Sequence, residues 1–248
     1  MVVINKLLIL ILIIVFILVY GIIKYITVKN ISNIVYKNKI CIVMFYTDNI
    51  KSYSQLAEQI NENYAQKWGY DFHVQYHRES DRAPQWDKVK VISNKLSEYD
   101  YIFWIDSDAI ITNYNIQLER FINKAPNKNI LICDDKPNGG YINTGTMFFK
   151  NTLWSKFFLK KWWDLGTEMK YEHKFAHEQD VLKHLLLTNK YNTMDNTKIF
   201  NVDDFNTNYP GKMTHNDNKF VLHLMSTTEK ERVNTFEKYY KNKFLFQK

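Results

Sequence analysis

Buried strands alternate with amphipathic helices along most of this chain, and that alternation limits the fold more than any other feature. Ile40–Tyr46 and Tyr101–Ile105 are unbroken apolar runs, typical of strands covered on both faces. Between them, Leu56, Ile60 and Tyr64 recur at helical spacing. This order predicts an α/β domain with a mostly parallel central sheet flanked by helices.

The other elements follow the same pattern. A serine cap at Ser52 or Ser54 is expected to start the first helix, and Gly69 to end it. We predict further strands over Tyr70–Tyr76, Ile130–Cys133, Thr146–Phe149 and Phe220–Leu224, and helices over Asp87–Leu96, Thr152–Leu165 and Glu178–Leu187. With only 7 glycines and 4 prolines, no long linker divides residues 39–248, which we expect to form one domain.

An apolar N-terminal segment predicts a membrane anchor. Leu7–Ile23 is interrupted only by Tyr20 and Gly21, and its length approaches the roughly 20 residues that cross a bilayer. A poor cleavage site follows, which favours a retained single-pass anchor over a signal peptide. We therefore predict an anchor over residues 1–24 and a polar stem over residues 25–38.

The lysines around this segment bear on its orientation. Lys24, Lys29, Lys37 and Lys39 follow the apolar run, and by the positive-inside rule they place the folded domain on the cytosolic side. The formal net charge of +7 is otherwise spread among many acidic residues. We read this as a mildly basic surface and predict no nucleic-acid partner.

Both cysteines are expected to be buried free thiols. Cys41 and Cys133 each lie in an apolar run that is predicted to be a strand. A disulfide framework or a cysteine metal site needs more cysteines or a closer spacing.

Two carboxylates directly follow an apolar strand. In extended chain, Asp106 and Asp108 point the same way, so their negative charges converge. A hard cation such as Mn²⁺ or Mg²⁺ relieves the repulsion and leaves coordination positions for phosphate oxygens. The alternative is a surface pair capping the next helix, but a solvated turn does not need a buried strand leading into it.

A histidine in a late apolar run is a candidate third ligand. His223 lies in the predicted strand Phe220–Leu224, where it is either a core residue or a metal ligand. Two carboxylates with one imidazole make a mixed oxygen and nitrogen site that suits Mn²⁺. In open α/β sheets ligands bind at the carboxyl ends of the strands, where Thr47-Asp48-Asn49 also falls.

Three further polar clusters have two interpretations each. Asn143-Thr144-Gly145 follows two glycines in a predicted loop, as a plain turn or as hydrogen-bonding groups for sugar hydroxyls. Glu178-Gln179-Asp180 opens a helix, where acidic side chains also suit the helix dipole. Lys88 is either a solvated lysine or a ligand for a phosphate.

The order of these blocks resembles the galactosyl/xylosyl/mannosyl-transferase family, which includes yeast Golgi α-mannosyltransferase subunits and plant xyloglucan xylosyltransferases. The resemblance covers about residues 39–228. Its blocks are Pro84–Lys88, Tyr99–Ala109, Asn143–Gly145, Asn151–Ser155, Trp162–Trp163, His177–Asp180 and Phe220–His223.

The resemblance implies a GT-A fold, a nucleotide-sugar donor, Mn²⁺ and transfer with retention of the anomeric configuration. Residues 39–248 would be the catalytic domain, in a type II protein of the Golgi or endoplasmic reticulum with this domain in the lumen. That orientation conflicts with the lysine distribution, and the sequence leaves both open. The implied metal ligands are Asp106, Asp108 and His223.

The resemblance also implies roles in binding the donor. Donor-binding residues would be Tyr46, Thr47, Asp48, Lys88, Asp106, Ser107, Asn143, Thr144 and Gly145, and Glu178, Gln179 and Asp180 would lie near the reacting carbon. One segment departs from the family pattern. Relatives place a glycine three residues after the histidine and then a lysine on the diphosphate, whereas here Ser226 takes the glycine position and Lys230 is displaced.

The sequence thus predicts a retaining, metal-dependent glycosyltransferase that moves a hexose or pentose to a hydroxyl of a glycan or glycoconjugate. Two alternatives remain open. One is a sugar-nucleotide hydrolase or nucleotidyltransferase, although no glycine-rich phosphate loop is present. The other is an inactive or carbohydrate-binding partner subunit tethered to the membrane. Whether the chain forms an oligomer is also open.

Overall fold

The computed structural model describes residues 13–24, 38–208 and 219–245, in two units over residues 1–37 and 38–248. In the first unit, residues 13–24 are helical with exposed side chains. Across the described ranges, no helix has both the length and the apolar character that crossing a membrane requires. Residues 1–12 of the predicted anchor and 25–37 of the predicted stem lie outside these ranges, so both remain predictions.

The second unit contains nine strands and seven α-helices within its described residues. The strands are β1 Ile40–Phe45, β2 Asp71–Gln75, β3 Tyr101–Ile105, β4 Ala109–Ile111, β5 Ile130–Asp134, β6 Ile142–Lys150, β7 Thr197–Phe200, β8 Thr207–Asn208 and β9 Val221–His223. The helices are α1 Lys51–Trp68, α2 Asp87–Lys95, α3 Glu119–Ile122, α4 Leu153–Glu168, α5 His177–Leu187, α6 Val202–Phe205 and α7 Glu229–Tyr240.

The main sheet has the strand order β2-β1-β3-β6-β5-β7. All of its strands run in the same direction except β6, which is antiparallel to both β3 and β5. The sheet is therefore mixed, and the amino end of β6 lies at the same edge as the carboxyl ends of β3 and β5. A smaller sheet has the order β4-β9-β8.

Both faces of the main sheet are covered, as the unbroken apolar runs predicted. Ile40, Ile42 and Met44 belong to the core cluster that contains the buried residues of α1 and α7. The intervening β1 residues belong to a second cluster with buried residues of α2, α4 and α5. Alternate residues of one strand thus fill two cores.

Most predicted elements are confirmed, with boundaries that differ by a few residues. The predicted serine cap of α1 is wrong, because the helix follows a 3-10 turn at Asp48–Ile50 and Ile50 stands at the cap position. Ser52 lies within the helix and bonds to Glu229, while Ser54 is buried in it. Gly69 ends α1 at φ 69°, as expected.

The loop predicted over Asn143-Thr144-Gly145 is also wrong. These residues belong to β6, which begins at Ile142. The turn that precedes it is completed at Gly139 and Gly140, whose backbone N–H groups donate to Lys136 and Asp135. A register shift between Ile132 and Cys133 then lets β5 pair with the start of β6.

Burial makes the thiols of both cysteines unreactive, and this can be tested. Cys41 and Cys133 are free and buried. Burial raises the pKa of Cys41 to about 12 and also raises the pKa of Cys133 well above its usual range. We expect neither thiol to react with iodoacetamide at pH 8 in the native protein, and both to react in guanidinium, as counted by mass spectrometry. Rapid labelling of the native protein would contradict this packing.

Candidate functional site

The two aspartates converge because of a turn. The N–H of Ala109 donates to the carbonyl of Asp106 at 3.0 Å, which closes the turn over Ser107 and Asp108. The N–H of Asp106 donates to the carbonyl of Gly145 at 2.8 Å and so ties the turn to β6. The predicted convergence is present, but not through the extended backbone from which it was inferred.

A buried asparagine of α1 holds the strand after the turn. Asn61 donates from Nδ2 to the carbonyl of Ala109 at 3.0 Å and accepts from the N–H of Ile111 at 2.8 Å. Its side chain therefore makes the hydrogen bonds to β4 that a neighbouring strand would otherwise make. Nothing in the sequence pattern indicated this role.

His223 joins the aspartates through the smaller sheet. In the β4–β9 pairing His223 lies opposite Ala109, and the N–H of Leu224 donates to the carbonyl of Asp108 at 2.9 Å. Nε2 of His223 lies 3.1 Å from Oδ1 of Asp108. One ligand atom from each of Asp106, Asp108 and His223 lies within 4.8 Å of the others. The structure thus brings the three predicted metal ligands together.

A chain of hydrogen bonds fixes the tautomer of this histidine. The N–H of Gly145 donates to Oδ1 of Asn143 at 2.8 Å, and the same oxygen accepts from Nδ2 of Asn206 at 2.8 Å. Oδ1 of Asn206 therefore faces Nδ1 of His223 at 3.0 Å and accepts its proton. In the neutral imidazole this leaves a lone pair on Nε2, the atom that faces Asp108.

Gly145 is required by a close approach. A Cβ on Gly145 would lie 2.2 Å from Cε1 of His223 and 2.9 Å from Oδ1 of Asn143. The absence of a side chain therefore lets the imidazole lie against β6.

Lys88 is a buried cation shared by two acidic side chains. Its Nζ lies 3.2 Å from Oδ1 of Asp106 and 2.9 Å from Oε1 of Glu178. It also donates to the carbonyl of Thr144 at 3.0 Å. Burial acts to lower the pKa of Lys88, but the two carboxylates outweigh it and the pKa is raised. The solvated-lysine interpretation is therefore wrong.

The carboxylates differ in their protonation. Burial raises the pKa of Asp106, and its neighbours Lys88 and His223 only partly oppose this. Burial also acts to raise the pKa of Asp108, but His223 and Arg232 outweigh it and lower the pKa. For His223, burial acts to lower the pKa, and the charge of Asp108 more than offsets it, so the pKa is raised. Asp108 is therefore the more firmly ionised aspartate.

Arg232 of α7 is a site residue that the sequence analysis missed. Its Nη2 lies 2.8 Å from Oδ2 of Asp108, and its Nε donates to the carbonyl of Leu224 at 3.1 Å. Its guanidinium also lies over the ring of Tyr53, 5.0 Å from the ring centre. The capping box of Thr228 and Glu231 was a readable signal for this helix.

The turn lies between two chambers of a cleft. The first has a volume of about 340 Å³ and the second about 520 Å³. Gln85, Lys88, Asp106 and Asp108 line both chambers. The first is also lined by Phe45, Thr47, Asn49, Ile50, Tyr53, Pro84, Trp104, Ser107 and Arg232. The second is also lined by Asp135, Asn138, Asn143, Thr144, Gly145, Phe175, Ala176, His177, Glu178, Gln179, His223, Met225 and Ser226.

Three predicted site residues lie outside both chambers. Tyr46 is buried and its hydroxyl bonds to Glu58 of α1. The side chain of Asp48 is 99% exposed. Asp180 lies one residue beyond the chamber-lining Gln179.

The cleft brings the remaining predictions together. Thr47 and Ser107 line the first chamber, whereas Asn143, Thr144 and Gly145 line the second. Glu178 and Gln179 also line the second chamber. Both accept hydrogen bonds from Thr144 at 2.9 Å.

Known proteins share this fold. A glycosyltransferase involved in the glycosylation of the major capsid of PBCV-1 matches with a TM-score of 0.69 and 20% identity, over 80% of this chain and 98% of that one. The galactosyltransferase LgtC, solved with donor and acceptor sugar analogs, matches with a TM-score of 0.53 and 13% identity, over 82% and 95%. The protein thus has a GT-A-like glycosyltransferase fold.

Sequence comparison gives the family. The chain belongs to the galactosyl transferase GMA12/MNN10 family, whose model matches residues 36–137 and 120–234. It is 28% identical over 150 residues to probable xyloglucan 6-xylosyltransferase 3 of Arabidopsis thaliana, covering 50% of this chain and 32% of that protein. It is 26% identical over 149 residues to probable glycosyltransferase 2 of Oryza sativa subsp. indica, covering 50% and 31%. These matches span about a third of each plant protein.

The support that Asn61 gives to the turn can be measured. We expect Asn61→Leu to reduce the free energy of unfolding by about 2–4 kcal/mol, because the leucine leaves two buried backbone groups of β4 unpaired. The measurement is urea-induced unfolding followed by circular dichroism. Asn63→Leu is the matched control on the same helix, since Asn63 bonds only to Gln59 one turn away. Equal stability of the two variants would show that Asn61 does not support β4.

Proposed function

We propose that this chain is a retaining, metal-dependent glycosyltransferase. It transfers a hexose or pentose from a nucleotide-diphosphate sugar to a hydroxyl of a glycan or glycoconjugate. One observation carries the proposal: two chambers of one cleft meet at the pair Asp106 and Asp108. A nucleotide sugar has the same division, with a base and a sugar on either side of a diphosphate.

The first chamber suits the nucleoside. Aromatic and aliphatic side chains, among them Tyr53 and Ile50, supply apolar contact area, and Thr47 and Asn49 supply polar groups. The second chamber suits the sugars, because most of its lining side chains are polar. Gln179 and Asn143 line this chamber and would contact hydroxyl groups of the sugar.

The donor atoms at the junction fit a divalent cation. Asp106 and Asp108 offer carboxylate oxygens, and the hydrogen bond to Asn206 leaves Nε2 of His223 able to ligate. The imidazole favours Mn²⁺ over Mg²⁺, which prefers oxygen ligands. When bound, such a cation supplies electrostatic stabilisation of the diphosphate leaving group.

The chain's own residues would prepare the reaction. Lys88 lies between the carboxylates of Asp106 and Glu178 and holds them in place, and Arg232 presents a positive charge beside the junction. The bond between C1 of the sugar and the β-phosphate oxygen breaks, and an acceptor oxygen bonds to C1 on the same face. The hydroxyl proton passes to the departing phosphate. Glu178 acts as a positioning residue, since its carboxylate is engaged by Lys88 and Thr144.

Localisation is part of the proposal. We propose a single-pass membrane protein of the Golgi or endoplasmic reticulum, anchored through Leu7–Ile23. The support is the apolar character of that segment and the lysines that flank it.

The metal dependence can be tested at one ligand. We expect Asp108→Asn to lower Mn²⁺-dependent release of nucleoside diphosphate by at least about 100-fold. Loss of a residue that only hydrogen-bonds to a metal ligand already lowers activity by up to about 100-fold, and loss of a ligand itself should lower it at least as much. A screen of nucleotide sugars with and without Mn²⁺ provides the measurement, and analysis of the products separates transfer from hydrolysis. Asp164→Asn is the control, since Asp164 lies on α4 and pairs with Lys160. Wild-type turnover by Asp108→Asn would refute the site assignment.

Arg232 gives a second prediction. Because it lies beside the junction, we expect it to contact the diphosphate in place of the displaced loop lysine. Arg232→Met should raise the KM for the donor by roughly 10- to 100-fold, the loss of one charge-assisted hydrogen bond. Arg232→Lys should recover part of this loss. The control is Arg120→Met, an exposed arginine of α3. An unchanged donor KM in Arg232→Met would limit the arginine to a structural role.

A further inference from the structure

The rim of the second chamber carries an unusually exposed aromatic side chain. Phe175 is 94% exposed, the highest value for a large apolar side chain among the described residues. A single exposed apolar residue needs no explanation by itself. Phe175, however, also lines the chamber in which the proposed function places the sugars.

The backbone next to Phe175 is strained. Ala176 has φ 65° and His177 has φ 38°, values that non-glycine residues rarely adopt. Hydrogen bonds hold this bend: the N–H of His177 donates to Lys174 at 3.0 Å, and the N–H of Gln179 donates to Ala176 at 2.9 Å. Such strain persists where the surrounding structure imposes it, and it is concentrated at binding sites.

A buried nitrogen near Phe175 lacks a partner. Nδ1 of His177 is buried and has no hydrogen-bond partner within the part of the chain that the structure describes. Burial lowers the pKa of His177, so its ring is neutral at pH 7 and can either donate or accept a hydrogen bond. His177 also lines the second chamber. An unpaired polar atom that belongs to a residue lining such a chamber is free to bond to a ligand.

Further polar groups line the same chamber. Asp135 is buried and accepts a hydrogen bond from Asn138 at 2.7 Å. The side chain of Asp135 is also confined by Gly140, where an added Cβ would lie 2.5 Å from its Oδ2. A carboxylate fixed in this way can orient a hydroxyl.

We propose that Phe175, His177 and Asp135 form a subsite for a sugar ring of the acceptor. The ring of Phe175 packs against the apolar C–H face of a pyranose. The hydroxyl edge of that sugar bonds to Nδ1 of His177 and to Asp135. This rests on the proposed function, and it identifies the acceptor as a carbohydrate whose sugar ring lies outside the donor-sugar position. The donor sugar then lies nearer the carboxylate pair, beside Gly145 and Gln179.

Saturation-transfer NMR on the full-length protein tests the subsite directly. The probes are the methyl glycosides of glucose, galactose, mannose and xylose, which carry no aromatic group. We expect saturation of the C–H protons of at least one probe, a roughly 5- to 10-fold weaker affinity in Phe175→Ala, and retention in Phe175→Trp. Leu153→Ala is the matched control, because Leu153 is 87% exposed and lies at the start of α4.

Equal affinities of the wild type and Phe175→Ala would overturn the proposal, as would the absence of binding of every probe to the wild type. A parallel measurement keeps this separate from the proposed function. Mn²⁺ binding and donor turnover without acceptor should be unchanged in Leu153→Ala and lost in Asp108→Asn. If the wild type shows neither Mn²⁺ binding nor donor turnover, the proposed function is wrong. The sugar subsite is tested separately, by the binding of the methyl glycosides in the NMR measurement.

Discussion

Three carboxylates gather at one edge of the sheet, and the rest of the site depends on how their repulsion is offset. Asp106 and Glu178 share the buried ammonium of Lys88, and Asp108 is paired with Arg232. Counted formally, with all three carboxylates ionised and His223 neutral as a metal ligand would be, the three acids and two cations leave one excess negative charge. A buried excess charge is costly unless another cation balances it. A divalent ion changes the balance to one excess positive charge, which favours a diphosphate. The protein's own charges thus explain why the metal and the donor would bind together.

The hydrogen-bond chain that runs from Gly145 through Asn143 and Asn206 to His223 connects distant parts of the sequence. Each bond fixes the orientation of the next group, because a backbone N–H can only donate. The chain of hydrogen bonds therefore begins at a backbone N–H of the main sheet and ends at the imidazole of His223 in the small sheet. Buried polar networks are stable only when every member is satisfied, so a change at any of these positions affects the orientation of His223.

The sequence allowed the main sheet and its carboxylates to be predicted, since a buried strand such as β3 is visible as an unbroken apolar run. It failed where long-range packing decides the outcome. Tyr46 is the last residue of a predicted strand, and its hydroxyl bonds to Glu58 of α1 and not to the cleft. Asn206 follows a helix of only four residues, too short to show a periodicity. Arg232 has a solvent-compatible side chain, and only the contact between its helix and the turn makes it part of the site. The glycines that precede Asn143 indicate a loop, whereas Asn143 pairs with Cys133 of β5 as part of β6.

His223, the proposed third metal ligand, comes from the small sheet, and this has a consequence for the order of assembly. All six strands of the main sheet are contained in the chain up to Phe200, whereas Asn206, His223 and Arg232 follow it. On the ribosome, a nascent chain therefore contains the complete scaffold before the imidazole has been synthesised. Newly made protein would pass through a stage in which the main sheet is complete but the proposed metal site is not, and translation of the last segment ends that stage.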